Sequence, residues 1–271
     1  MKPYSDFSMS DWQTFDKSWT KLCDGGNPNI NDHVFAVHPR GETNAGFQLA
    51  SFRIQSRSAA AARFGIGVRL SRDSWKVGQW THATTTFTDD TADFQSATAD
   101  DAPLETTTNG DGFLVAGRSP FNYISINGGI AQAGSPTRVV EYSVGTSTWA
   151  TLSTVIQSST NILGSGTESV FWFQSPTNWA PMTASHGTGV PVGLYGLRIR
   201  ATTAPSTAAV AASMSVSRIH FAHRTVAADG IFEMSFPTSP AILDPHGDAI
   251  VCATSDPLIG HMVTATYRSR G

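Results

Sequence analysis

Charge is scarce in this chain. Of 271 residues only 14% are Asp, Glu, Lys or Arg, against roughly 25% in an ordinary soluble domain. Ser, Thr, Ala and Gly take their place, a composition common in β-rich assembly proteins and unusual in a cytosolic enzyme. The 18 basic and 21 acidic residues leave a net charge of −3. No basic footprint exists for a general nucleic-acid binder. Cysteine is nearly absent. Cys23 and Cys252 lie far apart in sequence and make neither a disulfide framework nor a zinc pattern. Cys252, in the strand-like run "AIVCA", reads as a small core hydrophobe. No run approaches 18 consecutive apolar residues, so no membrane span is expected. The start, "MKPYSDFSMSDW", lacks the apolar stretch of a secretion signal, and the expectation is a protein that stays in the cytoplasm or leaves it by lysis. The H-E-x-x-H, G-x-S-x-G and Walker patterns are missing, so the expectation is that the chain is not an enzyme, although two carboxylates could still meet in space for glycoside cleavage.

What is present is a period of two. "FGIGVRL" sets Phe64, Ile66, Val68 and Leu70 on one face. "FNYISING", "RVVEYSV", "SVFWFQ", "MSVSRIHFA", "GIFEMSFP", "DAIVCAT" and "HMVTATYRS" read as further strands, divided by Gly, Pro, Asn, Asp and Ser turn clusters. Crossover helices are absent, which disfavours parallel α/β. The expected class is all-β, a β-sandwich of jelly-roll type. One helix is predicted over 10–22, "SDWQTFDKSWTKL", where Trp12, Phe15, Trp19 and Leu22 recur at helical spacing behind a Ser10–Gln13 capping pattern. Residues 1–30 then form an N-terminal arm, 31–222 the main sandwich, and 223–271 an adjoining β segment. The last forty residues have the alternative of returning to the sheets of the first seventy. The aromatic stripe of Trp12, Phe15 and Trp19 packs either on its own domain or on a neighbouring subunit.

Three features carry candidate sites. Between 89 and 111 lie Asp89, Asp90, Asp93, Asp100, Asp101, Glu105 and Asp111. Such a cluster suits a solvated loop, Ca²⁺ or a basic partner; Asp89, Asp90, Asp93, Asp100 and Asp101 are the candidate cation ligands, because Ca²⁺ takes six to eight oxygens. The spacing is not that of an EF-hand. Trp179, in "SPTNWAPM", precedes a loop among polar residues, an arrangement that suits either sugar stacking or core packing. In "GLYGLRIRATTAP", Tyr195, Leu197 and Ile199 alternate with Arg198 and Arg200. The expected strand buries the first three and turns both guanidiniums to the opposite face. There they meet carboxylates of their own sheet or a partner subunit, and the partner contact is the favoured expectation.

"PVGLYGLRIRATTAP", with "SPTNWAP" upstream and "SVSRIHFA" downstream, resembles a segment of virion structural proteins of tailed bacteriophages. "DDTADFQSATADDAPL", "DGFLV" and "VVEYSVGTSTWATL" are similar to the same group. The resemblance covers roughly residues 75–222. It implies a β-domain particle component located in the virion and assembled in the host cytoplasm, partnered by other virion proteins, the major capsid protein first, and homo-oligomeric. The first expectation is a capsid decoration or cement protein on the outer capsid surface that stabilises capsomer junctions. The alternative is a tail, baseplate or head-fibre component with a carbohydrate-binding β domain and a host glycan as ligand.

Overall fold

The computed structural model describes residues 13–15, 32–37, 47–56, 58–95, 102–145, 147–153, 155–158, 168–220, 224–235, 241–242, 247–254 and 262–269. The fold is all-β, with antiparallel sheets in a sandwich-like arrangement. Among the described residues the single α-helix, α1 (Thr91–Gln95), is five residues long, and no helix is long and apolar enough to cross a membrane.

In chain order the strands are β1 (Gln13–Phe15), β2 (Asp32–Val37), β3 (Phe47–Gln55), β4 (Ala62–Leu70), β5 (Trp75–Thr81), β6 (Thr86–Asp89), β7 (Ala102–Pro103), β8 (Gly112–Gly117), β9 (Tyr123–Ile130) and β10 (Thr137–Val144). There follow β11 (Thr148–Thr151), β12 (Val155–Ser158), β13 (Glu168–Phe173), β14 (Tyr195–Thr203), β15 (Val210–Ile219), β16 (Arg224–Val226), β17 (Ile231–Ser235), β18 (Ala241–Ile242), β19 (Gly247–Thr254) and β20 (Met262–Ser269). Each of the alternating runs read from the sequence is a strand or contains one.

The chain divides into two compact units, one of residues 1–70 with 218–271 and one of 71–217. This differs from a main sandwich over 31–222. In the first unit β20 lies between β1 and β3, β3 also pairs β17 and β18, and β19 lies between β2 and β4, with β16 on the other side of β4. The last forty residues therefore return to strands from the first seventy. They do so because β3 and β4 are long, apolar and in need of ladder partners, and Phe52, Ile54, Phe64, Ile66 and Val68 are all buried.

The helix expected over 10–22 is corrected at its centre. Gln13, Thr14 and Phe15 are a strand whose partners are Tyr267, Thr266 and Ala265. A β-branched and an aromatic residue beside an open strand edge gain a ladder there, and that tertiary pairing outweighs the helical spacing of the apolar residues. Phe15 thus sits in a segment paired within its own chain, not in a free arm. Trp12, Trp19 and Cys23 lie outside the described residues.

The second unit has a six-stranded antiparallel sheet in the order β11-β10-β14-β8-β5-β6 and a second sheet, β12-β13-β9-β15, with β7 on β15. Register puts Val77, Val115 and Leu197 in one row across the first sheet, and Phe113 and Ile199 in the next. Aromatic residues knit the sheets. Trp179 has its ring centroid 5.0 Å from Phe121, 6.1 Å from Phe173, 6.3 Å from Tyr142 and 6.1 Å from Tyr195. The second face of the six-stranded sheet is also covered. Residues 180–194 run across it as a strap, and Met182 and Val190 join Trp80, Phe87, Leu114 and Ala116 in a buried cluster. Strands buried on both faces lose the apolar–polar alternation of a half-solvated sheet, which is why β8 reads "GFLVAG" with every residue buried.

Two glycines make the strap fit. A Cβ on Gly196 would meet the Met182 thioether at 2.4 Å, so a larger residue there would push that side chain aside. Gly189 has φ +77, and a Cβ there would come within 2.6 Å of the Phe87 carbonyl oxygen.

Candidate functional site

The arginines come first. Leu197 and Ile199 are fully buried and Tyr195 half-buried, while Arg198 and Arg200 occupy the opposite face, as the alternation requires. That face does not look outward. Register places Glu141 of β10 directly across from Arg198 and next to Arg200. The Nε of Arg198 donates to Glu141 Oε2 at 2.8 Å, and Arg200 donates from Nε to Oε2 at 2.7 Å and from Nη2 to Oε1 at 3.2 Å. The Arg198 guanidinium carbon lies 4.9 Å from the Trp80 ring centroid and 4.3 Å from that of Trp149. Arg198 and Glu141 are each only 8% exposed. Of the two expected outcomes the structure has the carboxylate of their own sheet for both arginines; Arg198 is enclosed with it, while a fifth of the Arg200 side chain stays exposed. The physical reason is the two indoles. Between Trp80 and Trp149 a cation on β14 needs a countercharge within reach, and Glu141 supplies it. Desolvated cation–π contacts add about 2 kcal/mol.

Burial alone would raise the Glu141 carboxyl. The hydrogen bonds from Arg200 and Arg198, together with their charges, outweigh burial and hold it below its ordinary value. Burial lowers Arg198 despite its bond to Glu141, and the Glu141 bond raises Arg200; both stay protonated. A carboxyl depressed on folding contributes stability that is fully present above its unfolded pKa and is lost as pH falls through the folded value. Thermal unfolding across the acid range should show a loss of stability beginning below the ordinary glutamate pKa. In the Glu141→Gln chain that part of the slope should flatten, and an unchanged slope would remove Glu141 from the cluster.

The strap itself is held at several points. Ala180 N donates to Ser143 O at 3.0 Å, Met182 N to Leu194 O at 2.8 Å, Phe87 N to Thr188 O at 2.9 Å and Thr188 N to Thr85 O at 2.9 Å. His186, buried in its short 3₁₀ turn (Ala184–His186), accepts at Nδ1 from Thr183 N at 3.1 Å and meets Trp149 edge-on at 5.4 Å.

Trp179 is corrected as a sugar-stacking residue. It is 7% exposed, its four aromatic neighbours surround it, and its Nε1 donates to Gly196 O at 3.0 Å. An indole satisfied and enclosed in this way packs the junction of the two sheets.

The acidic stretch disperses. Asp89 pairs with Lys76 and accepts from Thr91 N at 3.0 Å. Burial would raise its carboxyl, but those bonds and the lysine charge hold it low. Asp90 accepts from Gln79 N at 3.3 Å, and burial, with the charges of Asp93 and Asp89, raises it. Glu105 takes Arg138 through both carboxylate oxygens, at 2.7 and 2.8 Å, in a second buried ion pair. Asp111 accepts from His82 N and from Thr106 Oγ1 at 2.9 and 2.8 Å. Asp100 and Asp101 lie outside the described residues. Among the described residues no three His, Cys, Asp or Glu side chains come together to hold a metal ion.

A concave polar feature lies among the described residues, and sequence reasoning passed over it. A groove of about 260 Å³ opens between Tyr142, Leu152 and Ser153 on one side and Gln174–Asn178 on the other. Tyr142 Oη donates to Asn178 Oδ1 at 2.9 Å, and Ser175 Oγ donates to Phe121 O at 3.3 Å. The signal in the sequence was "QSPTN" immediately before Trp179; it reads as a turn, and the polar lining comes from the neighbours of the tryptophan, not from its ring. No family model matches the chain and no curated protein matches it.

Proposed function

We propose that the chain is a structural component of a tailed-bacteriophage particle. One observation supports this reading above the others. The stretch that resembles phage virion proteins, roughly 75–222, nearly coincides with the compact unit 71–217. A resemblance that follows the limits of a folding unit behaves as kinship between domains, whereas chance similarity has no reason to respect them. The covered strands and the low share of charged residues also fit a particle part without chemistry of its own.

Two placements follow. As a decoration protein the chain would bind the outer capsid surface and stabilise capsomer junctions. That placement drew on a free N-terminal arm and an outward arginine face; β1 is paired at home and both arginines are taken by Glu141. The second placement, an attachment component of tail, baseplate or head fibre, is favoured by the groove at Tyr142. Quantitative mass spectrometry of particles purified from a lysate in which the chain is made tests both. A copy number that matches the capsid lattice assigns it to the head surface. A few copies per particle assign it to the attachment apparatus. Its absence from washed particles overturns the proposal.

A further inference from the structure

We infer that the groove between Tyr142 and Gln174–Asn178 binds a neutral saccharide. Its lining offers the amides of Gln174 and Asn178, the hydroxyls of Ser153, Ser175 and Thr177, the phenol of Tyr142, and the apolar Leu152 and Pro176. Among the described residues no carboxylate, ammonium, guanidinium or imidazole lines it. Recognition of phosphate, of a carboxylated sugar or of a metal ion requires such groups, so charged ligands have no partner here. A purely apolar ligand would strip water from the amides without replacing their hydrogen bonds, which costs free energy for each one. A polyhydroxylated, uncharged ring matches both demands, because its hydroxyls donate to and accept from amides while its C–H face lies on phenol and proline.

The hydrogen-bonding groups are presented rather than consumed. Among the described residues the side chains of Ser153, Gln174 and Thr177 have no protein partner, and Gln174, Thr177 and Asn178 are exposed. Tyr142 holds Asn178 through its carbonyl oxygen, which leaves the amide N–H groups for a ligand. The support beneath is rigid. Trp179 packs edge-on against Tyr142 at 6.3 Å and is anchored to Gly196, and the segment is tied at Ser175 to Phe121 and at Ala180 to Ser143. Binding then orders chiefly the exposed side chains of Gln174 and Thr177 and little of the backbone. The volume, about 260 Å³, lies just below the range of drug-sized ligand sites, which begins at roughly 300 Å³. The groove therefore fits one sugar residue or the end of a longer glycan.

This inference rests on the groove alone. A chain absent from particles could still bind saccharide, and a particle protein could fail to, so the two tests are independent. The experiment is saturation-transfer NMR of the full chain with neutral oligosaccharides built from glucose, galactose and N-acetylglucosamine, with sialyllactose and inorganic phosphate as charged probes. Expected is saturation transfer to at least one neutral saccharide at millimolar-range affinity. It should weaken about tenfold or more in the Gln174→Ala, Thr177→Ala double variant, a loss of about 1.4 kcal/mol. Both side chains are exposed, so the melting temperature of that variant should match the parent and show that it is folded. Gln174→Glu, nearly isosteric, should weaken binding too. No transfer to any neutral saccharide, equal binding by the double variant, or preference for sialyllactose or phosphate would each overturn the inference.

Discussion

Glu141→Gln should destabilise the isolated chain by about 3–5 kcal/mol, the range found when one partner of a buried ion pair is removed. The substitution keeps the size and one acceptor oxygen but deletes the charge. Arg198 would then sit 8% exposed between two indoles with no countercharge, and Arg200 would lose both of its bonds to carboxylate. Arg198 cannot leave easily, because β14 is central in its sheet and Trp80 and Trp149 enclose the guanidinium. Chemical denaturation with the slope compared between variants measures the effect. A change below about 1 kcal/mol, the level of a solvated surface pair, would show that the face is open to water.

Trp179→Ala should cost about as much, roughly 3–5 kcal/mol for an enclosed aromatic replaced by alanine. The indole meets rings from both sheets of the 71–217 unit, Phe173 on one side and Tyr142 and Tyr195 on the other. Its removal leaves a cavity at their junction and an unpaired carbonyl at Gly196. Trp179→Phe should recover part of the packing but not the hydrogen bond, and so fall between the two. Circular dichroism melts that place all three chains together would place the tryptophan on the surface instead.

The strands are legible in the sequence for a local reason. Alternation with β-branched and aromatic residues, cut by Gly, Pro and Asn, is written into each segment, and β10, β13, β15, β19 and β20 follow it. The second cover of the six-stranded sheet is not local. Nothing in "GLYGLRIRATTAP" announces that Trp80 and Trp149 will enclose Arg198 or that Glu141 will take both guanidiniums, so a strand with two cations reads as a docking face. The same applies to Gly196, which looks like a flexible residue and is the clearance for Met182. At Gln13–Phe15 the information lies some 250 residues away in β20, and a helical spacing read locally cannot contain it. For Trp179 the sequence shows polar neighbours correctly; they are the exposed groove, while the ring beneath them is core. The division into 1–70 with 218–271 and 71–217 depends on which strands pair across long separations, and composition along the chain marks neither boundary.

A double-mutant cycle between Glu141 and Arg198 tests most directly whether these groups serve the fold. The four chains are the parent, Glu141→Gln, Arg198→Met and the double variant, each unfolded in denaturant without any partner present. Contacting charged residues give interaction energies of about 0.5–3 kcal/mol, and a pair buried between Trp80 and Trp149 belongs at the upper end. Expected is a double variant markedly more stable than the sum of the two single losses would make it, because it no longer holds the buried Arg198 charge without a partner and leaves only the part-exposed Arg200 without its carboxylate. Simple additivity, with small single effects, would contradict the internal ion cluster and return Arg198 to the surface as a group held for a partner.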